Sequence, residues 1–193
     1  MHRSWTLPLR HTHTQVNAAM KTLSSLCLLF LLLCCLTKPA RSQTLLLNSC
    51  SVNVNLEELR KHYYSIRLNA ITGDDEIGVK FLDKSLIEHV QDGQRCCFLR
   101  LVLRFYVERV FRSYTSSQPQ DERILSSLAN TFIIIRKDMH KCHCLCEEPT
   151  QKRVDALHQA FNQLEIGKAA RKAVGELDII LGWLQDSEQK SLS

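Results

Sequence analysis

Residues 95–114 read R-C-C-F-L-R-L-V-L-R-F-Y-V-E-R-V-F-R-S-Y, and this stretch decides the fold. As a helix it carries Phe98, Leu99, Leu101, Val102, Leu103, Phe105, Tyr106, Val107, Val110, Phe111 and Tyr114 on almost every side. Four of its charges, Arg100, Arg104, Glu108 and Arg112, recur every fourth residue, so most of its polar surface falls on one narrow line, with Arg95 and Arg109 off it. A helix with so little polar surface needs neighbours all round, which predicts the central member of a bundle.

The flanking sequence supplies those neighbours. Asn55-Leu56-Glu57-Glu58 is a capping-box pattern, and behind it Leu56, Leu59, Tyr63, Ile66 and Ala70 form one stripe at helical spacing. Thr72-Gly73-Asp74-Asp75 ends that helix. Residues 71–84 read as an irregular connection, with a short helix near 85–91. After the break at 115–119, Leu125, Leu128, Phe132, Ile135, Met139 and Cys142 hold spacings of three and four, which predicts a helix whose last turn delivers Cys142. Pro149 opens another helix, with Val154, Leu157, Phe161 and Leu164 on one face. Gly167 separates it from a final segment with Ala170, Val174, Leu177, Leu181 and Leu184 as its stripe. Gly175 and Gly182 in that segment predict close packing. No alternating strand with a hairpin turn is read. The expected class is all-α.

The chain has 193 residues and a formal charge of +5, but Arg3, Arg10, Lys21, Lys38 and Arg41 all precede residue 43 and no acidic residue does. Basic and acidic residues balance from Gln43 onward, which removes the electrostatic footprint of a nucleic-acid binder. The apolar run 23–36 (L-S-S-L-C-L-L-F-L-L-L-C-C-L) is shorter than the roughly 20 residues that span a bilayer. Ala40-Arg41-Ser42 then places small residues at a cleavage site. Residues 1–42 are therefore expected to be a leader with an export signal, with Met20 as an alternative start. The expected mature domain is 43–193.

The cysteines left after cleavage are Cys50, Cys96, Cys97, Cys142, Cys144 and Cys146, an even set in an exported chain, which implies disulfides. Neighbours Cys96 and Cys97 bond each other only with distortion, and pairing within C-H-C-L-C closes strained short loops. Each of Cys50, Cys96 and Cys97 should then reach one of the last three, with several maps open. A zinc site using His140 and His143 beside those cysteines is the rival, at an uncommon spacing. The sequence holds no dinucleotide, phosphate-loop, zinc-protease or nucleophile-elbow motif. No catalytic residue and no cofactor are expected.

Cys96-Cys97 leading into F-Y-V-E-R-V-F (105–111), I-L-S-S-L-A-N-T-F (124–132), the C-x-C at 144–146 and G-E-L-D-I-I-L-G-W-L (175–184) together resemble the interleukin-20 subfamily, the interleukin-19/20/24-like group of the interleukin-10 cytokine family. The likeness runs from about Leu45 to Trp183. It departs from the family pattern in the single residue between Cys142 and Cys144. The resemblance implies an interleukin-10-like helical bundle of six to seven helices, stapled by Cys50–Cys142, Cys96–Cys144 and Cys97–Cys146. It implies a secreted monomer that cross-links two class II cytokine-receptor chains, a heterodimer of the interleukin-20 receptor type, whose Janus kinases do the chemistry. An extracellular carrier of a small apolar ligand and an oligomerising structural module are the rival functions.

With Tyr63 at the centre of the buried stripe, Glu57, Lys61, Tyr64 and Leu68 fall on the far side of the first helix, roughly 100–160° away. A tyrosine and a leucine one turn apart on an otherwise polar face are expected to be receptor anchors. The competing expectation is that another helix, or Leu45-Leu46-Leu47, covers them.

Overall fold

The computed structural model describes residues 43–47, 50–116 and 118–189, so the leader 1–42 lies outside the described residues. Two short strands come first: β1 (Gln43–Leu47) and β2 (Cys50–Val54) pair antiparallel with Leu45 opposite Val52. This hairpin corrects the expectation of no strand. Ser51 and Asn53 are exposed while Val52 and Val54 are buried, so C-S-V-N-V carries the period-two alternation of a half-buried strand. The three leucines of β1 hide that alternation in the partner strand.

Helix α1 (Leu56–Thr72) starts where Asn55 caps it. The Asn55 side-chain oxygen accepts the Glu58 N–H at 3.1 Å, and its amide donates to Glu58 Oε2 at 3.0 Å. Leu56, Leu59, Tyr63, Ile66 and Ala70 are its buried residues. An irregular loop and α2 (Lys84–Glu88) lead to α3 (Arg95–Phe105). A π-helical stretch, Tyr106–Val110, and a closing turn, Phe111–Ser113, continue α3. The sequence reading treats 95–114 as one regular helix, and the π stretch is new. Phe105 and Val110, like Tyr106 and Phe111, are buried pairs five residues apart. On an α-helix such pairs diverge by about 140°, whereas the i→i+5 bonding of a π-turn brings them toward one face. Edge-on ring pairs follow: Phe105 meets Phe161 at 5.2 Å, and Tyr106 meets Phe132 at 5.8 Å. The Tyr106 hydroxyl is satisfied inside this cluster, donating to the Ala173 carbonyl at 2.8 Å.

Helix α4 (Pro119–Met139) ends three residues before Cys142, which sits in the following turn, its N–H bonded to the Met139 carbonyl at 3.0 Å, rather than in the last helical turn. Helix α5 (Glu148–Gln163) carries Pro149 in its first turn as expected, with Val154, Leu157 and Phe161 buried, while Leu164 lies just past its end. The final segment is two helices, α6 (Ile166–Gly175) and α7 (Leu177–Gln189). Gly167 is inside α6 rather than at its boundary, because Glu165 caps the helix by accepting the Gly167 and Lys168 N–H groups at 3.0 Å. The expected break lies at Leu164–Glu165, two residues earlier than Gly167, and a second break falls at Glu176.

Two staples close this arrangement: Cys96 bonds Cys144 and Cys97 bonds Cys146, with Cα separations of 5.4 and 5.2 Å. Cys142 is also disulfide-bonded, and the side chain of Cys50 lies outside the described residues. With the sulfurs of Cys142, Cys144 and Cys146 in disulfides, the rival zinc reading loses its thiolates.

Two predictions follow from the packing. Gly182 is not a close-approach site, because a Cβ there meets nothing within 4 Å, and Gly175 would meet only Ile71 Cγ1 at 3.5 Å. Gly182→Ala should therefore raise stability by about 0.5–1 kcal/mol through helix propensity, read as a higher melting temperature. The Cys97–Cys146 bond closes a separation of 49 residues, for which chain entropy gives about 4 kcal/mol. Denaturant unfolding of the Cys97→Ser/Cys146→Ser variant should show a loss of that order.

Candidate functional site

The outward face of α1 carries the residues singled out from sequence. Glu57 and Lys61 are exposed, Tyr64 is 60% exposed and Leu68 is 74% exposed. Among the described residues no helix covers them. Leu45 is buried within the hairpin's inner face instead. Ile71, one turn past Leu68, is also exposed and extends the apolar strip toward the end of the helix.

The strip borders a polar seam between α1 and the C-terminal helices. Tyr63 donates its hydroxyl to the Gly175 carbonyl at 2.9 Å and accepts from Arg67 Nε at 3.1 Å. Arg67 also reaches Asp178 Oδ2 at 3.2 Å. Burial first, and the Asp178 carboxylate second, push the Tyr63 phenol up to about 12. On the opposite side of α1, Asn69 donates to Asp121 at 2.9 Å and His62 meets Ser127 at 3.2 Å, tying the helix to α4. The strip is therefore presented by a helix held on both flanks.

Sequence reasoning missed the loop that continues the strip. Ile77, 97% exposed, sits at its tip beside Gly78, whose φ of 88° requires the left-handed region. The loop is clamped to α6 by complementary charge. Lys168 Nζ reaches Asp75 and Glu76 at 3.0 and 3.1 Å, and buried Lys172 reaches Asp74 and the Glu76 carbonyl at 2.9 Å. Arg171 donates to the Gly73 carbonyl at 2.8 Å. Glu176 closes the far end by accepting the Phe81 and Leu82 N–H groups at 2.9 and 2.8 Å. Burial pushes its carboxyl up, opposed by those two bonds and by Lys172. The acidic run 74–76 facing the basic positions 168, 171 and 172 was the available signal.

This face has the build of a protein-contact surface, with apolar anchors in a polar rim. A carrier of an apolar ligand would need an apolar chamber. The rings of Phe98, Phe105, Tyr106, Phe132 and Phe161, each at most 1% exposed, fill the core where one would lie.

Comparison with known proteins points the same way. A family model described as Interleukin 10 matches residues 24–187. Interleukin-20 of Mus musculus is 36% identical over 149 residues, covering 75% of this chain and 85% of that one. Interleukin-19 of Mus musculus is 30% identical over 142 residues, covering 72% and 81%. The crystal structure of human interleukin-19 superposes with a TM-score of 0.64 at 28% identity, covering 69% of this chain and 88% of that one.

The seam beside the strip has a testable pH signature. A phenol raised in the folded state keeps its proton where the unfolded chain has lost it. Stability from Tyr63 is then present below about pH 10 and lost as pH rises toward about 12. Between those values the wild type should lose stability more steeply than Tyr63→Phe, measured by denaturant unfolding at a series of pH values.

Proposed function

The chain belongs to the interleukin-10 family, a family of cytokines and not of enzymes, and on that premise we propose that it is an exported cytokine that brings two class II receptor chains together. Residues 1–42 act as the leader and 43–193 as the mature signalling domain. The receptor pair is of the interleukin-20 receptor type, and its bound Janus kinases carry the signal. The cytokine acts as a monomer, since its staples join distant parts of one chain. The observation that carries this reading is the uncovered Tyr64–Leu68 pair on a helix whose other large apolar residues are buried apart from Ile71.

Glu57 and Lys61 form the polar rim of that contact, and Tyr64 and Leu68 its anchors. Ile71 and Ile77 extend it along the clamped loop. Anchors of this kind concentrate binding energy because the rim excludes water from them. Among the described residues no helix is long and apolar enough to cross a membrane, in keeping with a chain that leaves the cell after its leader is removed.

The test uses protein collected from the medium of cells expressing the full chain. Its first residue should be Gln43, and it should capture ectodomains of two different class II receptor chains. Tyr64→Ala or Leu68→Ala should weaken capture of one receptor chain by about 2 kcal/mol or more, with the melting temperature unchanged. Early melting with normal capture would place these residues in the core and overturn the assignment.

A further inference from the structure

The polar line of α3 leads to a second surface. Arg100, Arg104 and Glu108 form the shared wall of two adjoining open grooves of about 490 Å³ and about 320 Å³. The larger extends over α5, with Arg109, Asp155 and His158 in its lining, and the smaller reaches Arg136 and His140 at the end of α4. Four arginines thus face two carboxylates in a domain whose charges balance overall. The excess is local.

Each guanidinium is held in place by a specific contact. Glu108 accepts Arg104 Nε at 2.9 Å through one oxygen and Arg136 Nη1 at 3.1 Å through the other, so it joins α3 to α4. Arg109 donates to Asn162 at 2.6 Å and stacks 5.4 Å from the Phe161 centroid. Arg100 rests against the sulfur of Cys146 at 3.3 Å, on the Cys97–Cys146 staple. A guanidinium has five N–H donors in a rigid fork, and these contacts use few of them. That fork matches tetrahedral oxyanions two oxygens at a time.

We propose that this double groove binds a linear sulfated polysaccharide of the cell surface or matrix, its sulfates seated on Arg100, Arg104, Arg109 and Arg136. Two adjoining open troughs suit a chain with anionic groups along its length, whereas a lone small anion would fill a fraction of one. Neither groove is lined by a Phe, Tyr or Trp side chain, so the stacking platform of a single-stranded nucleic-acid site is missing there. The choice of an extracellular polyanion rests on the export proposed above, but the binding surface is separate from the α1 strip.

The experiment measures binding of a heparin-derived octasaccharide to the secreted protein at about 0.15 M salt, with receptor capture as an independent readout. The wild type should bind, and the affinity should fall as salt rises, as expected for counterion release from a polyanion. Arg104→Ala/Arg136→Ala should weaken binding roughly tenfold or more while receptor capture persists. Lys80→Ala/Arg123→Ala removes the same charge from other exposed sites and should change it less than about twofold. Glu108→Gln removes the competing carboxylate and should tighten binding. The proposal is overturned if the octasaccharide is not bound at that salt, or if its desulfated form binds as well. It is equally overturned if an oligonucleotide of equal charge binds more tightly, if the two double variants behave alike, or if Glu108→Gln fails to tighten binding. Loss of octasaccharide binding with receptor capture intact would leave the cytokine reading untouched.

Discussion

Cys96 and Cys97 are consecutive in the chain, and that adjacency is the constraint on which the rest depends. Successive helical residues point about 100° apart, so two bonds leave the first turn of α3 in different directions. They end on Cys144 and Cys146, two residues of a single short connection between α4 and α5. One bond would leave that connection able to swivel about it. Two fix both its position and its orientation, and with it the starting points of α5 and the end of α4. Gln94 reinforces the joint, its side-chain oxygen accepting the Glu147 N–H at 2.9 Å where α5 begins.

Below the staples, cohesion passes to the rings. Phe98 meets Trp183 of α7 edge-on at 5.7 Å, and Phe111 meets Phe132 of α4 at 5.3 Å. These contacts run from the cysteine end of α3 down through its π-helical stretch, so one buried helix touches α4, α5, α6 and α7. Full burial of such side chains is worth about 1.5–3 kcal/mol each, against a net domain stability of about 5–15 kcal/mol. Losing any single ring is therefore felt by the whole domain.

Much of this was legible in the residues. The α1 stripe of Leu56, Leu59, Tyr63, Ile66 and Ala70 is buried as its spacing required, because an amphipathic helix has only one way to hide such a stripe. The exposure of Tyr64 and Leu68 was read from the same wheel. What was illegible depended on distant partners. The π stretch at Tyr106–Val110 answers to rings on α4 and α5, and nothing within 95–114 alone announces it. The split at Glu176 arises because that carboxylate turns to hold the backbone of Phe81 and Leu82, nearly a hundred residues earlier. The hairpin at 43–54 was masked by three consecutive leucines, and Gly182 was overread, since a glycine in a helix marks close packing only when something is close.

The loop between α1 and α2 has no regular backbone bonding of its own, yet its two ends and its acidic middle are held by four side chains of the α6 region. Ordering a residue's backbone costs roughly 1–2 kcal/mol, and here that cost is met during folding by Lys168, Arg171, Lys172 and Glu176. Any partner that docks against Ile77 therefore meets a preorganised loop, and its association is spared the entropy of freezing one. Stability of the α6 charges is thus convertible into affinity at the tip of the loop they clamp.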